Sequence, residues 1–177
     1  MTDLTELKER LTRRISKDDI HNIQQSRQDN FLERVYALTS DGDHRVSYNA
    51  LWILTHCSTS DRAWLASKRD ELIDRVMTCD HVGKVRLMLT LLERTPMTAD
   101  DVRSDYLDFC LDKIDSTSPP AIRAFCLREA YRHCKFYPEM TGELMCMIEL
   151  IEQSELPPAI RSVIRNIRKN IYRRSGS

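Results

Sequence analysis

The chain has 177 residues, and its 27 basic and 27 acidic side chains give a formal net charge of zero. A chain of this length buries about two-thirds of its unfolded surface, so we expect one domain that folds without a metal or a disulfide. The four glycines, the lack of an alternating β-branched run and the lack of an apolar run of about eighteen residues argue against a strand-bearing or membrane-spanning fold.

The first predicted elements form a degenerate capping unit over residues 1–28. An apolar stripe at helical spacing consists of Leu4, Leu7, Leu11 and Ile15. Ser16 then begins the segment Ser-Lys-Asp-Asp, which is typical of a helix N-cap. A short helix bearing Ile20 and Ile23 is predicted to follow.

Four helix hairpins are predicted after this unit. Their first helices are amphipathic and cover roughly residues 29–39, 61–78, 99–115 and 140–153. Their second helices are predicted to begin near Asp43, Val82, Pro119 and Pro157. The last of them, over 157–174, is predicted to be a C-terminal capping helix, and the whole of 1–177 a single domain.

The hairpins repeat at a fixed interval. The pentapeptide Pro-Pro-Ala-Ile-Arg occurs at 119–123 and again at 157–161, which is 38 residues later. Equivalent apolar positions in the four second helices are Val46, Val85, Ile122 and Ile160. A period of this size is typical of an α-solenoid, in which each repeat stacks on its neighbours. Gly42 and Gly83 are expected in the turns that correspond to the tandem prolines.

Residues 29–174 resemble the HEAT and armadillo-type helical repeats. That family commonly has an apolar-basic pair at the start of the second helix and an acidic residue in the turn six positions before the basic one. Asp80 with Arg86 and Glu155 with Arg161 match this pattern, whereas the other two repeats keep only half of it. The resemblance implies an all-α superhelix of four to five HEAT-like hairpins that serves as a scaffold or binding surface. Some helical-repeat proteins that are similar to this chain are DNA base-excision enzymes or lyases, which work through a concave aromatic and acidic groove.

The six cysteines suggest no metal site, because none forms a Cys-x-x-Cys pair. Cys110, Cys126 and Cys146 fall on apolar faces, where a thiol behaves as a small hydrophobic side chain. A zinc site would have to combine the pairs His56-Cys57, Cys79 with His81, and His133-Cys134. In the hairpin arrangement Cys79 and His81 lie in a turn, on the order of 20 Å from the other two pairs at the far ends of second helices. We therefore predict no metal and no cofactor.

Charge is unevenly distributed along the chain. Residues 29–118 have 16 acidic and 11 basic side chains, whereas residues 119–177 have 6 and 10. The acidic residues Asp101, Asp105, Asp108, Asp112 and Asp115 are predicted to form a solvated helix face. The last helix bears Arg161, Arg165, Arg168, Lys169, Arg173 and Arg174. These cations either form the polar outer face of a terminal repeat or bind a phosphate backbone. The opposed charges could also promote head-to-tail association.

A candidate concave binding surface lies on the second helices, turned away from the repeated apolar stripe. Its predicted members are Tyr48, Trp52, Leu87, Leu91, Arg94, Arg128, Tyr131 and Lys169, together with Asn166. Tyr, Trp and Arg dominate binding hot spots, which favours a binding role for this surface. The alternative is that Trp52, Leu87 and Leu91 belong to the core between repeats.

The preferred function is a non-catalytic scaffold or adaptor that binds a protein or peptide through this surface. Nucleic-acid binding through the basic last helix is the alternative, and a DNA-acting enzyme is the third. No Gly-rich phosphate loop, nucleophile elbow or metal-binding helix motif supports catalysis. The charged, amphipathic N-terminus lacks the apolar core of a signal peptide, so we expect a cytoplasmic protein without membrane contact. The sequence does not determine the oligomeric state.

Overall fold

The computed structural model describes residues 4–115 and 117–175, and within them the regular elements are all helical. The helices are α1 (Leu4–Leu11), α2 (Lys17–Gln25), α3 (Phe31–Leu38), α4 (His44–Leu54), α5 (Arg62–Ala66), α6 (Arg69–Thr78), α7 (Val82–Arg94), α8 (Ser104–Lys113), α9 (Pro120–Cys134), α10 (Pro138–Ile151) and α11 (Pro158–Ser175). Two short 3-10 helices cover Thr59–Asp61 and Ala99–Asp101. The predicted all-α class is confirmed.

The second helices begin within one residue of their predicted starts. The Asp43 carboxylate caps α4 by accepting hydrogen bonds from the backbone N–H groups of Arg45 and Val46, at 2.7 and 3.2 Å. Helices α9 and α11 each begin with the second proline of a tandem pair, where the missing N–H costs no intrahelical hydrogen bond. Local signals therefore position these helix starts.

The chain divides into two compact units. The N-terminal unit covers residues 1–95 and the C-terminal unit covers residues 96–177. In the N-terminal unit α4 packs against α1, α3 and α7, and α7 packs against α6. In the C-terminal unit α9 packs against α8, α10 and α11. Each unit is thus built around second helices of the predicted hairpins. The organisation of residues 1–177 as a single domain stays a prediction.

The repeated apolar positions form the core within each unit. Val46 and Val85 are buried in the N-terminal unit, and Ile122 and Ile160 are buried in the C-terminal unit. Leu89, one turn after Val85, is fully buried. The stripe predicted from the repeat is therefore the buried face of each second helix.

The leading segment folds largely as predicted. Ser16 caps α2 in a reciprocal capping box, in which its hydroxyl accepts from the Asp19 N–H at 3.1 Å and its own N–H donates to the Asp19 carboxylate at 2.7 Å. Leu7 and Leu11 are buried, whereas Leu4 at the start of α1 is 40% exposed. The apolar stripe of α1 therefore comprises only its later residues.

Three local predictions differ from the structure. Gly83 lies in the first turn of α7 and not in the turn before it, for a reason of packing described below. The first helix of the second repeat is split into α5 and α6. The first helix of the third repeat, predicted over 99–115, is likewise divided, into the 3-10 helix Ala99–Asp101 and α8.

Candidate functional site

Helix α4 has a row of aromatic and imidazole rings on its outer side. His44, Tyr48 and Trp52 follow one another at every fourth position of α4, so successive members are offset by only about 40° around the helix, and His56 comes two residues after the helix ends. Tyr48 and Trp52 are half-buried, and the two histidines are exposed. The Trp52 and His56 rings lie 6.0 Å apart in an edge-to-face arrangement. The row therefore presents ring surface that the core does not use.

Two cavities of about 600 and 540 Å³ open along this row. Both are lined by Arg14, Tyr48 and Asn49. The first also includes Asp43, His44, Arg45 and His81, and the second also includes Ile15, Ser16, Asp19 and Trp52. Together they are called the α4 cleft. Each has a volume that accommodates a few amino-acid residues of a ligand.

The start of α7 forms one wall of the α4 cleft. His81 caps this helix, since its Nδ1 accepts a hydrogen bond from the Lys84 N–H at 3.2 Å. The His81 ring centroid lies 6.1 Å from that of His44 and 6.3 Å from that of Tyr48. A Cβ atom at Gly83 would lie 3.0 Å from Cε2 of Tyr48. Gly83 therefore stands in the helix because the Tyr48 ring occupies the space of a side chain there.

The opposite wall is the α1–α2 connection, which Asn49 attaches to α4. Asn49 is buried, and its side-chain amide donates to the backbone carbonyls of Leu11 and Arg13, both at 2.9 Å. The connection continues through Arg14 to Ser16, both of which line the α4 cleft. A single buried amide thus determines where these polar side chains lie relative to the ring row.

The acidic groups of the α4 cleft are engaged at helix starts. Hydrogen bonds from the Ser16 backbone N–H and hydroxyl lower the pKa of Asp19, which keeps its carboxylate ionised as the N3 member of the capping box of α2. Asp43 is itself the N-cap of α4 and accepts hydrogen bonds from the N–H groups of Arg45 and Val46. These carboxylates stabilise helix ends and are poorly placed to exchange protons with a ligand.

Several polar groups of the cleft have no hydrogen-bond partner among residues 4–115 and 117–175. They are the Tyr48 hydroxyl, the Trp52 indole N–H, the Asn49 amide oxygen and the Arg14 guanidinium. They provide donors, an acceptor and a cation along one surface. Such a set can bind the amide groups of a peptide together with a carboxylate.

The predicted concave residues of the N-terminal unit separate into two groups. Tyr48 and Trp52 line the cleft, and Arg94 is exposed and donates a hydrogen bond to the Thr55 carbonyl at the end of α4. Leu87 and Leu91 are buried, so their assignment to a ligand-binding surface requires correction. They lie on the broad apolar face with which α7 packs against α4 and α6.

The predicted residues of the C-terminal unit form no comparable surface. The Arg128 guanidinium lies 4.6 Å from the centre of the Phe125 ring on α9. Tyr131 is only 9% exposed and belongs to the core of this unit. Lys169 and Asn166 are exposed on α11.

Sequence reasoning missed Arg14, His44, Asn49, His56 and His81. The spacing of His44 and His56 relative to Tyr48 and Trp52 is a signal that could have revealed the ring row. No local pattern indicated Arg14, Asn49 or His81, because packing between distant segments brings them to α4.

Three of the six cysteines lie in the core, two are half-buried and one is exposed. Cys110, Cys126 and Cys134 are buried, whereas Cys146 is exposed, contrary to its predicted place on an apolar face. Burial raises the pKa of Cys110 well above its usual value and that of Cys134 to about 11. No group of three or more metal-ligating side chains occurs in the described part of the chain. The buried thiols are therefore poor nucleophiles.

The charged helix faces are exposed, but the acidic one is shorter than predicted. Asp105, Asp108 and Asp112 lie on the solvent side of α8, whereas Asp101 lies in the preceding 3-10 helix and Asp115 follows the end of α8. A hydrogen bond from Arg103 lowers the pKa of Asp105. The basic residues of α11 from Arg161 to Arg174 are likewise exposed. Neither set contributes to the α4 cleft.

Comparison with known proteins gives one match. A family model described as a HEAT repeat domain matches residues 7–171, which is most of the chain. No curated protein and no solved structure matches significantly. None of the helices that the structure describes is long and apolar enough to cross a membrane.

Proposed function

Since the chain belongs to the HEAT repeat domain family, a family of helical-repeat scaffolds, we propose that it is a non-catalytic adaptor that binds a peptide segment of a partner protein in the α4 cleft. The observation that carries this proposal is the row of partly exposed rings along α4. Repeat scaffolds commonly use such a helix face for partners.

The rings supply the apolar part of the interaction. Tyr48 and Trp52 are half-buried, so their backbones and inner edges are held by the fold while ring surface remains open to a ligand. Burying a large, rigid aromatic surface costs little conformational entropy, and this is why Tyr and Trp are enriched at binding hot spots. These two side chains are the proposed anchors.

The polar groups supply orientation. The Trp52 N–H can donate to a peptide carbonyl, and the Asn49 amide oxygen can accept from a peptide N–H. Arg14 lies between the two cavities and has no carboxylate partner among the described residues. An acidic side chain or a chain terminus of the peptide would complete its hydrogen bonds.

The state of the titratable groups supports binding over catalysis. Asp19, Asp43 and His81 line the α4 cleft, yet each uses an acceptor atom of its side chain at the start of a helix. A general acid or base needs a proton that it can exchange with the substrate. Here that exchange would compete with a helix cap.

A peptide selection tests the proposal. A phage-displayed random peptide library would be selected on the whole protein, and the enriched peptides would be synthesised and their affinities measured by fluorescence anisotropy. Tyr48→Ala or Trp52→Ala should weaken binding about 30-fold or more, corresponding to about 2 kcal/mol. Arg14→Gln should weaken the binding of peptides that contain an acidic residue more than the binding of peptides that lack one.

The controls separate the cleft from the rest of the surface. Tyr172→Ala removes an exposed tyrosine from α11, and an Arg165/Arg168/Arg173 triple Gln variant removes cations of that helix. Circular dichroism would establish that every variant is folded. The assignment to the α4 cleft would be refuted if Tyr172→Ala lowered peptide affinity as much as Tyr48→Ala or Trp52→Ala does. It would also be refuted if neither Tyr48→Ala nor Trp52→Ala changed that affinity.

A further inference from the structure

Helix α11 displays a row of cations along one exposed face. Arg161, Arg165, Lys169 and Arg173 occupy every fourth position, and all four are exposed. At 1.5 Å per residue, successive members are about 6 Å apart along the helix axis and the row extends over about 18 Å. The charge is thus arranged linearly.

Acidic residues do not balance the first three cations of this row. The sequence has no Asp or Glu from Pro158 to its end. Arg161, Arg165 and Lys169 form no ion pair with any described residue, while Arg168 beside them donates two hydrogen bonds to the Glu152 carboxylate, at 2.7 and 2.5 Å. Like charges four residues apart destabilise a helix by about 0.2–0.5 kcal/mol per pair. The row therefore opposes the stability of α11.

The role of a terminal capping helix accounts for only part of the row. Cations in the last turn interact favourably with the helix dipole, which explains Arg173 and Arg174. Arg161 lies near the start of α11, where the dipole disfavours a positive charge. A solvated outer face can also be built from both signs of charge. The first half of the row is thus better explained by a ligand.

An aromatic ring lies within the same face. Tyr172 is 82% exposed, and its direction around the helix falls between those of Arg161 and Arg165. Proteins that bind single-stranded nucleic acid combine a basic track with aromatic side chains on which bases stack. An acidic peptide could neutralise the cations but has no flat base for the ring.

Further positive charge surrounds the end of α11. Arg174 donates a hydrogen bond to the carbonyl oxygen of Lys135, at 2.9 Å, at the end of α9. Burial, together with the charges of Arg132 and Arg174, lowers the pKa of Lys135. Lys135 and Arg174 thus place two further cations near the end of the row, whereas Arg132 is paired with Glu129 at 2.5 Å.

We propose that this face of α11 binds the phosphate backbone of a single-stranded nucleic acid through Arg161, Arg165, Lys169 and Arg173, with Tyr172 stacked on a base. This second binding surface is independent of the α4 cleft, since it lies on a different unit and uses different chemistry. Cations repeating at a short interval suit a linear polyanion, and the exposed ring suits its bases.

Fluorescence anisotropy with labelled oligothymidylate and oligouridylate tests the proposal on the whole chain. Four phosphate contacts predict a slope of roughly −3 for the logarithm of affinity against the logarithm of salt concentration. An Arg165→Gln/Lys169→Gln variant should reduce that slope by about 1.4. Tyr172→Ala should lower affinity about tenfold with the slope unchanged, because stacking releases no counterions. The ratio of the two affinities then shows which of the two polymers is preferred.

A variant that removes the same number of positive charges elsewhere on the protein gives the matched control. Arg62→Gln/Arg86→Gln removes two exposed cations from the N-terminal unit, and it should leave the salt slope unchanged. An equal effect of this control, or no binding at low salt, would overturn the proposal. Competition by polyglutamate as strong as by the oligonucleotides, with no effect of Tyr172→Ala, would instead identify an acidic protein partner and also overturn it.

Discussion

The side-chain amide of Asn49 in α4 donates a hydrogen bond to the backbone carbonyl of Leu11 at 2.9 Å, and its second N–H donates to Arg13 at the same distance. Leu11 ends α1, and the residues after Arg13 line the α4 cleft. One buried side chain therefore joins a segment distant in sequence to the ring row.

Asn49→Ala should destabilise the protein by about 1–3 kcal/mol, because two carbonyls near the core lose their donors. Hydrogen exchange should accelerate in α1 and leave α9 unchanged. Urea denaturation and exchange measured by mass spectrometry check both effects. Asn166→Ala on the exposed face of α11 is the control and should change stability by less than about 0.5 kcal/mol. Unchanged exchange in α1 would contradict the role given to Asn49.

Two glycine substitutions should differ in their effect on stability. Gly142 in α10 has no atom within 4 Å of a built Cβ, so Gly142→Ala should stabilise by about 0.5–1 kcal/mol through helix propensity. The Cβ of Gly83→Ala would lie 3.0 Å from the Tyr48 ring. This ring must shift, which offsets the propensity gain and should move the Tyr48 ring signals in NMR spectra. An equal stabilisation by both substitutions would show that the ring does not occupy this space.

Leu89→Ala should cost about 2–5 kcal/mol, since it removes a fully buried side chain from α7 and leaves a cavity. Leu150→Ala on α10 is the matched control, because Leu150 is 65% exposed. Chemical denaturation measures both losses. A loss below about 1 kcal/mol at Leu89 would mean that the repeated stripe is not the packed face.

The ionisation of Asp61 should make the stability of the protein depend on pH in the acid range. Partial burial raises the pKa of Asp61, but hydrogen bonds from Arg27 and Ser58 outweigh it, so the pKa lies below its ordinary value of 3.8. A carboxyl with a depressed pKa contributes stability that is present above the unfolded value and lost as the pH falls through the folded value. The free-energy difference between the wild type and Asp61→Asn should therefore be greatest near neutral pH. This difference should vanish at pH values below both the folded and the unfolded pKa of Asp61.

Urea denaturation at a series of pH values measures this difference. Asp108→Asn, at an exposed position of α8, is the control and should show little dependence of this kind. A difference between the wild type and Asp61→Asn that stayed constant through the acid range would assign the effect to packing and not to ionisation.

The reactivity of the thiols should depend on their exposure. Cys146 is exposed and should react quickly with a disulfide reagent, whereas the buried Cys110, Cys126 and Cys134 should react only on unfolding. EDTA should leave the melting temperature unchanged. A drop of several degrees that zinc reverses would restore the metal interpretation.

The sequence alone determined the helical repeat and its phase. Tandem prolines, an Asp before α4 and a Ser before α2 act on the adjacent backbone, so the starts of these helices could be predicted to within about a residue. The recurring apolar positions identified Val46, Val85, Ile122 and Ile160 as core, because a helix must bury its apolar face whichever neighbour covers it. The exposed basic face of α11 followed from the same periodicity.

Only the tertiary structure decided which of the remaining residues are accessible. Leu87, Leu91 and Tyr131 shared the predicted concave surface with Tyr48, yet packing against neighbouring helices buries them. Arg14, Asn49 and His81 reach the α4 cleft through contacts between segments far apart in the chain. Helical periodicity specifies direction around one axis, whereas exposure depends on what packs against that direction, and this second quantity has no local signature.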